Sequence, residues 1–308
     1  MDLRQLKFFV TVAEHGSMTR AAAVLAVAQS VLSRQIRDLE ADLGVRLLSR
    51  NGHGVVLSEA GIRLLPRAKA LVQDAAMARE EALVLRDRPA GTVSVAMAPS
   101  AGAILWVPLL TQIQRDFPDI RIQVNEGYSG DVIDWVVTGR VDIGVIYQPQ
   151  QGLKHNVELL VSERLYLLGP PDHVCFRAPT FDFSDLANIP LILPGSQHAV
   201  RRLLEDVASR QQVKLQVQLE VNAYPAITSI VTALRGFTVL PVAPILADVQ
   251  CGNIAAVEIV NPNLIQRVGL LTPSPQPVSL SSKTVSRVIG DLAKKFAASG
   301  IWPEGLRA

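Results

Sequence analysis

LRQLKFFVTVAEHGSMTRAAAVLAVAQSVLSRQIRDLEADLGVRLLSRNGHGVVLSEAG, residues 3–61, carries three short helical patterns in succession. In the first, Leu3, Leu6, Phe9, Val10 and Ala13 fall at helical spacing, which predicts a helix with one buried face. Gly16 ends it, and Ser17 is a good N-cap for an alanine-rich helix from Met18 to Leu25. The small side chains of that second helix allow close helix–helix approach. The third pattern runs from about Gln29 to Asp42, with Leu32, Ile36, Leu39 and Leu43 on one apolar stripe. A turn of ~100° per residue puts Ser30, Arg34 and Arg37 on the opposite face, with Ser33 beside them. Two readings are open. The segment is an ordinary helical hairpin with a solvated face, or a helix-turn-helix whose third helix offers hydroxyl and guanidinium groups to base edges and phosphates.

Outward from this segment, the pattern changes twice. Residues 59–88 form one long amphipathic helix, capped by Ser58 and ending at Asp87-Arg88-Pro89-Ala90-Gly91, a hinge composition. Leu64, Ala68, Leu71, Ala75, Ala78, Ala82 and Leu85 alternate spacings of four and three, the signature of a coiled-coil seam, widened by Leu65, Val72 and Leu83. A helix packed on its own domain could carry the same stripe. Pro66 removes one hydrogen bond and predicts a local kink. From Thr92 onward, strands alternate with helices. The candidate strands are 92–98, 120–126, 141–147, 164–169, 190–194, 217–222 and 237–242; helices lie near 102–116, 129–138, 197–211, 224–235 and 282–298. That alternation predicts an α/β fold with a mainly parallel sheet. The expected organisation is an N-terminal unit over 1–58, a helix and hinge over 59–90, and an α/β domain over 91–308. The last divides into lobes of about 91–162 with 266–300, and about 163–265.

Ligands in α/β folds collect where strands end and helix N-termini offer free N–H groups. Four junctions here are small and polar: Pro99-Ser100-Ala101-Gly102, Tyr128-Ser129-Gly130, Pro194-Gly195-Ser196-Gln197-His198, and Asn222-Ala223-Tyr224 before the helix bearing Thr228. Any one alone reads as a capped turn. Four in one domain point to a shared cleft for a small polar or anionic ligand.

Composition narrows the class. With 49% hydrophobic and 19% charged residues the chain can bury cores and is not of disordered type. A net charge of only +2 means that any nucleic-acid contact must come from a local cluster. Two cysteines, Cys175 and Cys251, do not make a disulfide scaffold, so a reducing compartment is expected. The start, MDLRQLKFFVTVAEHG, is too charged for a signal peptide, and no apolar run reaches membrane-spanning length. A cytoplasmic protein without a membrane partner is expected.

Residues 3–61 closely resemble the N-terminal domain of LysR-type transcription regulators. The resemblance rests on Phe8-Phe9, Gly16-Ser17, Ala21-Ala22, Gln29-Ser30, Leu32-Ser33, Ile36, Leu39-Glu40, Leu43-Gly44, Leu47-Leu48, Arg50 and Leu57-Ser58-Glu59-Ala60-Gly61. It implies a winged helix-turn-helix binding double-stranded operator DNA, with contacts at Gln29, Ser30, Ser33 and Arg34. Arg50 and the wing, Asn51 to Val56, would reach the backbone or minor groove. His53 stands where many relatives carry arginine or lysine, and a mostly neutral histidine is a weaker phosphate ligand. Arg37 joins the set through its place on the exposed face. More loosely, VVTGRVDIGVIY (136–147), SERLYLLGPPDH (162–173) and ALRGFTVLPV (233–242) resemble the family's regulatory domain, which is similar to a two-lobed periplasmic binding protein. Thr238 stands where relatives often have glycine. The resemblance is to the subgroup that includes the nitrogen assimilation control regulator, some of whose members act without an obvious effector. It implies an effector site, for which Ser100, Ser129, Tyr147, Ser196 and Thr228 are the candidates by position. It also implies dimers through the long helix and tetramers built from them.

Two other classes lack the residues they need. An enzyme would require a catalytic constellation, but the sequence has no Gly-rich phosphate loop, no G-x-S-x-G elbow and no metal-spaced His/Cys cluster. No cofactor or metal is expected. His15, His53, His155, His173 and His198 are scattered, and His198 alone sits at a candidate ligand junction. A transport solute-binding protein would require an export signal.

Overall fold

The computed structural model describes residues 1–51, 54–83, 89–149, 156–274 and 278–302. They form two compact units that divide near residue 88.

The first unit contains α1 (Leu3–His15), α2 (Met18–Val24), α3 (Gln29–Leu43), β1 (Leu48–Asn51), β2 (Gly54–Leu57) and α4 (Glu59–Leu83). Asp2 and Gln5 form a reciprocal capping box at the start of α1, and Gly16, in the left-handed conformation, ends it. Ser17 caps α2 by accepting from the Arg20 N–H. Leu6, Phe9, Val12, Ala21, Leu32, Ile36 and Leu39 form the core, so the third stripe is buried as its spacing predicts. β1 and β2 are an antiparallel ribbon, pairing Leu48 with Leu57 and Asn51 with Gly54.

Ser58 caps α4: its Oγ accepts from the Gly61 N–H at 3.0 Å and donates to the Arg46 carbonyl at 2.6 Å. A β-carbon on Gly61 would lie 2.1 Å from the Leu47 carbonyl oxygen, so only glycine permits this approach of α4 to the ribbon. The helix continues through Pro66. The expected seam needs correction at its start. Ala68 is fully buried against the unit's own core, with Leu64, Leu65 and Val72 packed beside it. Lys69, nearly buried, pairs with Glu14 of α1 at 2.9 Å. The first half of the stripe therefore holds α4 onto α1. Beyond it, Leu71 is partly exposed; the side chains of Ala82 and Leu83, and all of Leu85, lie outside the described residues.

The second unit contains β3 (Gly91–Met97), α5 (Pro99–Asp116), β4 (Ile120–Glu126), α6 (Ser129–Val137), β5 (Ile143–Tyr147), β6 (Asn156–Gly169), β7 (Thr180–Asp182), β8 (Pro190–Leu193), α7 (Ala199–Gln211), β9 (Gln216–Glu220), α8 (Tyr224–Leu234), β10 (Thr238–Pro241), α9 (Leu246–Gln250), β11 (Ala255–Val260), β12 (Ile265–Thr272) and α10 (Leu280–Ser299). The large sheet has the order β4-β3-β5-β12-β6-β11-β7, with β10 also paired to β6; β8 and β9 form a separate parallel pair.

The sheet is mixed, not mainly parallel. β3 is parallel to β4 and β5, but β12 is antiparallel to β5 and β6, and β6 is antiparallel to β10 and β11. The strands that run against β3, β4 and β5 are β7, β10, β11 and β12; of these only β10 is among the candidate strands, and the first half of β6 is missing from them too. β12 changes register between Val268 and Gly269, which breaks its alternation. The opening residues of β6, Asn156 to Leu159, are exposed and show no buried face.

β6 is one continuous strand through both lobes. Up to Arg164 it pairs with β12; from Leu165 it pairs with β10 and β11. Val161 belongs to the core of the first lobe, with Val95, Leu105, Ile143, Val268 and Val288. Leu165 and Leu167 belong to the core of the second, with Phe183, Leu193, Leu204 and Val239. Asp142 of the Gly-x-x-Asp segment is structural. Its Oδ2 accepts from the backbone N–H and the hydroxyl of Ser94, at 2.7 and 2.6 Å, and so fixes the start of β5 against β3.

Candidate nucleic-acid interface and effector region

The apolar stripe of α3 is buried, and its other face is open. Gln29, Ser30, Arg34 and Arg37 are exposed and Ser33 is half-buried. The Arg34 side chain is 77% exposed and makes only a long i,i+4 contact with Asp38, at 3.9 Å. So loose a surface pair leaves the guanidinium able to be redirected. Arg37 donates to the Ser33 carbonyl at 3.3 Å. The N-cap of α3 is Ala28, which has no side chain to cap the first turn. Unclaimed N–H groups at a helix start attract phosphate. Glu40, at the other end of α3, accepts from the Leu47 and Leu48 N–H groups at 2.8 and 3.0 Å, and so orients β1 against the helix. Between α3 and the ribbon lies an open groove of about 680 Å³, lined by Ser33, Arg37, Arg46 and Ser49 among others. Arg50 sits on β1 opposite Val55. His53 lies outside the described residues.

In the second unit, β3, β4 and β5 run parallel, and their C-terminal ends carry the starts of α5 and α6. Ser100 and Ser129 are both buried there. The Ser129 hydroxyl accepts from the Tyr147 N–H at 3.0 Å, which ties the end of β5 to the start of α6. β8 and β9 also run parallel, and the loops after them meet: the Gly195 N–H donates to the Asn222 side-chain oxygen at 2.8 Å. Tyr128 joins the two sets of strand ends. Its hydroxyl donates to the Asn222 carbonyl at 2.8 Å, and its ring packs edge-on against His198 with centroids 5.8 Å apart.

The predicted effector residues are thus placed unequally. Ser100 and Ser129 stand at the strand ends of the first lobe. Ser196 is an exposed turn residue; the residue that caps α7 is His198, whose Nδ1 accepts from the Val200 N–H at 3.3 Å. Thr228 is half-buried in the second turn of α8, past the helix start. Tyr147 is buried, and its hydroxyl lies beside Glu163. Tyr128 and Asn222 lie in the quoted junctions, but their short polar context gives no sign of which residue reaches across. His198 is nearly buried, and burial first, then the Arg202 charge, pushes its pKa down to about 4. The ring is neutral at neutral pH. Nδ1 is the acceptor, so Nε2 carries the hydrogen.

Among the described residues, no group of three or more His, Cys, Asp or Glu side chains could hold a metal ion. Nor is any of their helices long and apolar enough to cross a membrane.

A helix-turn-helix with a β-ribbon, in one chain with a two-lobed α/β unit whose strand ends converge, defines a ligand-responsive DNA-binding regulator. Residues 3–62 match the model of the bacterial regulatory helix-turn-helix of the LysR family, and residues 86–293 match the LysR substrate-binding domain. The chain belongs to the LysR family of transcription regulators. It is 28% identical to the nitrogen assimilation regulatory protein nac of Escherichia coli K12 over 94% of each chain. It is 30% identical to nac of Klebsiella aerogenes over 78% of each. In fold it resembles a full-length OxyR variant from Pseudomonas aeruginosa, with TM-score 0.79, 23% identity, and coverage of 100% of this chain and 99% of that one.

Proposed function

We propose that this regulator reads operator DNA with the exposed face of α3 and responds to a small polar or anionic effector held between the strand ends of its two lobes. Gln29, Ser30, Ser33 and Arg34 contact bases and adjacent phosphates. Arg37, Arg50 and His53 serve the backbone or minor groove. The observation that carries this reading is the polar, uncapped start of α3, presented outward over the buried Leu32, Ile36 and Leu39. Residues 1–58 form the reading domain, 59–90 the linker and hinge, and 91–308 the effector domain. The protein pairs through the distal part of α4, forms tetramers from those pairs, works in the cytoplasm and catalyses no reaction.

Effector contacts are assigned to Ser100, Ser129, Ser196 and Thr228, with Tyr147 behind Ser129. The convergence of Tyr128, His198 and Asn222 supports this placement, because a group bound there would touch both lobes. Ligand then shifts the lobe equilibrium by its differential affinity for the two arrangements. A gel-shift assay with genomic fragments tests the reading. Retention of a small, salt-sensitive subset of fragments is expected. Uniform retention of all fragments, or of none, would contradict it.

A further inference from the structure

A second cluster of polar groups lies buried where β6 passes from one lobe to the other. Glu163 is 1% exposed and sits between Val161, in the core of the first lobe, and Leu165, in the core of the second. Two donors converge on its carboxyl group. Gln266 of β12, its cross-strand partner, donates through Nε2 to Oε1 at 2.7 Å. Trp302, beyond the end of α10, donates its indole N–H to Oε2 at 2.6 Å. The hydroxyl of Tyr147, at the end of β5, lies beside the same carboxyl group. Both Gln266 and Trp302 are fully buried.

The other side of Gln266 is unusual, since its Oε1 is buried with no hydrogen-bond partner. A buried acceptor left without a donor is costly, so a state in which a donor reaches it gains a hydrogen bond. A protonated Glu163 provides that donor. Rotation of the Gln266 amide would let its oxygen accept the Glu163 O–H. The cluster can therefore take two hydrogen-bond arrangements, one for each protonation state, of which the structure shows the one with Gln266 Nε2 on Glu163.

We propose that Glu163 is a proton-linked latch, holding the C-terminal Trp302 to the crossover between the lobes with a grip that depends on whether the carboxyl group is ionised. The ionised form receives both donors, and its bond from the indole is charge-assisted; the neutral form binds the indole more weakly. Burial raises the Glu163 pKa to about 7, with the bonds from Gln266 and Trp302 and the nearby Tyr147 hydroxyl opposing that rise, so both forms are populated near neutrality.

Among the described residues, no charged side chain sets this balance. On the adjacent β6 position Arg164 pairs instead with Glu258, and Arg267 of β12 is exposed. On α10, Lys283, Arg287, Asp291, Lys294 and Lys295 point away from the core, exposed or half-buried. At α7, whose Ala199 packs into the same core, Arg201 pairs with Glu205, Arg202 bonds the Gln197 carbonyl, and His198 is neutral. The segment Ala243–Ile245 has no titratable side chain.

The test is tryptophan emission of the full-length protein from about pH 5.5 to pH 8.5, for the parent and for Trp302→Phe. Subtracting the two isolates Trp302 from Trp106 and Trp135. The difference spectrum should change with a midpoint near pH 7, and Glu163→Gln, which keeps an acceptor but cannot ionise, should abolish the change. A flat parent difference spectrum, or an equal change in Glu163→Gln, would overturn the latch. If Glu163→Gln fails to fold, the thermal midpoint of the parent decides. The folded-state pKa lies above the usual 4.5, so stability is lost as pH rises through about 7. The parent midpoint should fall between about pH 6.5 and 8.5, and a midpoint that stays constant or rises would also overturn the proposal.

Discussion

Arg34 and His198 make opposite use of burial. Arg34 is exposed and scarcely paired, as a group waiting for a base edge should be. Replacing it with alanine is expected to cost ~1–3 kcal/mol of operator binding and to relax preference at one base position. Competition binding with single-base operator variants checks this. His198 is buried, neutral and committed to capping α7. Its folded pKa of about 4 lies below the ordinary 6.5, so its contribution to stability is complete above pH 6.5 and is lost as pH falls through about 4. His198→Asn keeps a capping acceptor and does not titrate. Thermal melts of parent and variant should therefore diverge as pH falls from 6.5 towards 4, the parent losing more. Parallel curves would show that the ring is not buried as described. The cap of α7 is His198 and not Ser196, because the helix begins later than the serine would allow. A run of polar turn residues does not mark that boundary in the sequence.

Among the elements, α3 was the most legible, because Leu32, Ile36 and Leu39 recur at intervals of four and three and a single core receives all three. The stripe of α4 was legible as a stripe, but not in what it packs against. A period shows which face is buried and is silent about the partner, and Leu64 and Ala68 face α1's core instead of a second helix. The corrected division yields separable outcomes. Leu71→Glu, at a partly exposed site, should leave the thermal midpoint nearly unchanged while sedimentation shows a smaller assembly. Ala68→Glu places an unpaired charge in the unit's own core and should unfold it. Equal loss of stability in both would place Leu71 inside the monomer's core. β6 and β12 were the least legible elements. Exposed residues open β6, a register change interrupts β12, and their pairing joins positions about a hundred residues apart.

At the scale of the molecule, the two-lobed architecture follows from one strand, β6, that serves both cores, and the proposed ligand response rests on strand ends that meet through Tyr128. Tyr128→Phe removes one hydrogen bond between lobes, typically about 0.5–1.5 kcal/mol. It should leave ligand-free DNA affinity nearly unchanged and shift effector concentration dependence several-fold. An unaltered effector titration would remove Tyr128 from the response. The central claim is that α3 reads sequence in the major groove, as paired copies on one duplex. It is tested most directly by a protection footprint of the full-length protein on a retained genomic fragment, with Arg34→Ala alongside. The expected result is a dyad-related pair of protected half-sites, spaced by one helical turn (about 34 Å) or a multiple of it, and lost from that sequence in Arg34→Ala. Protection without sequence preference, or an identical footprint from Arg34→Ala, would contradict the account.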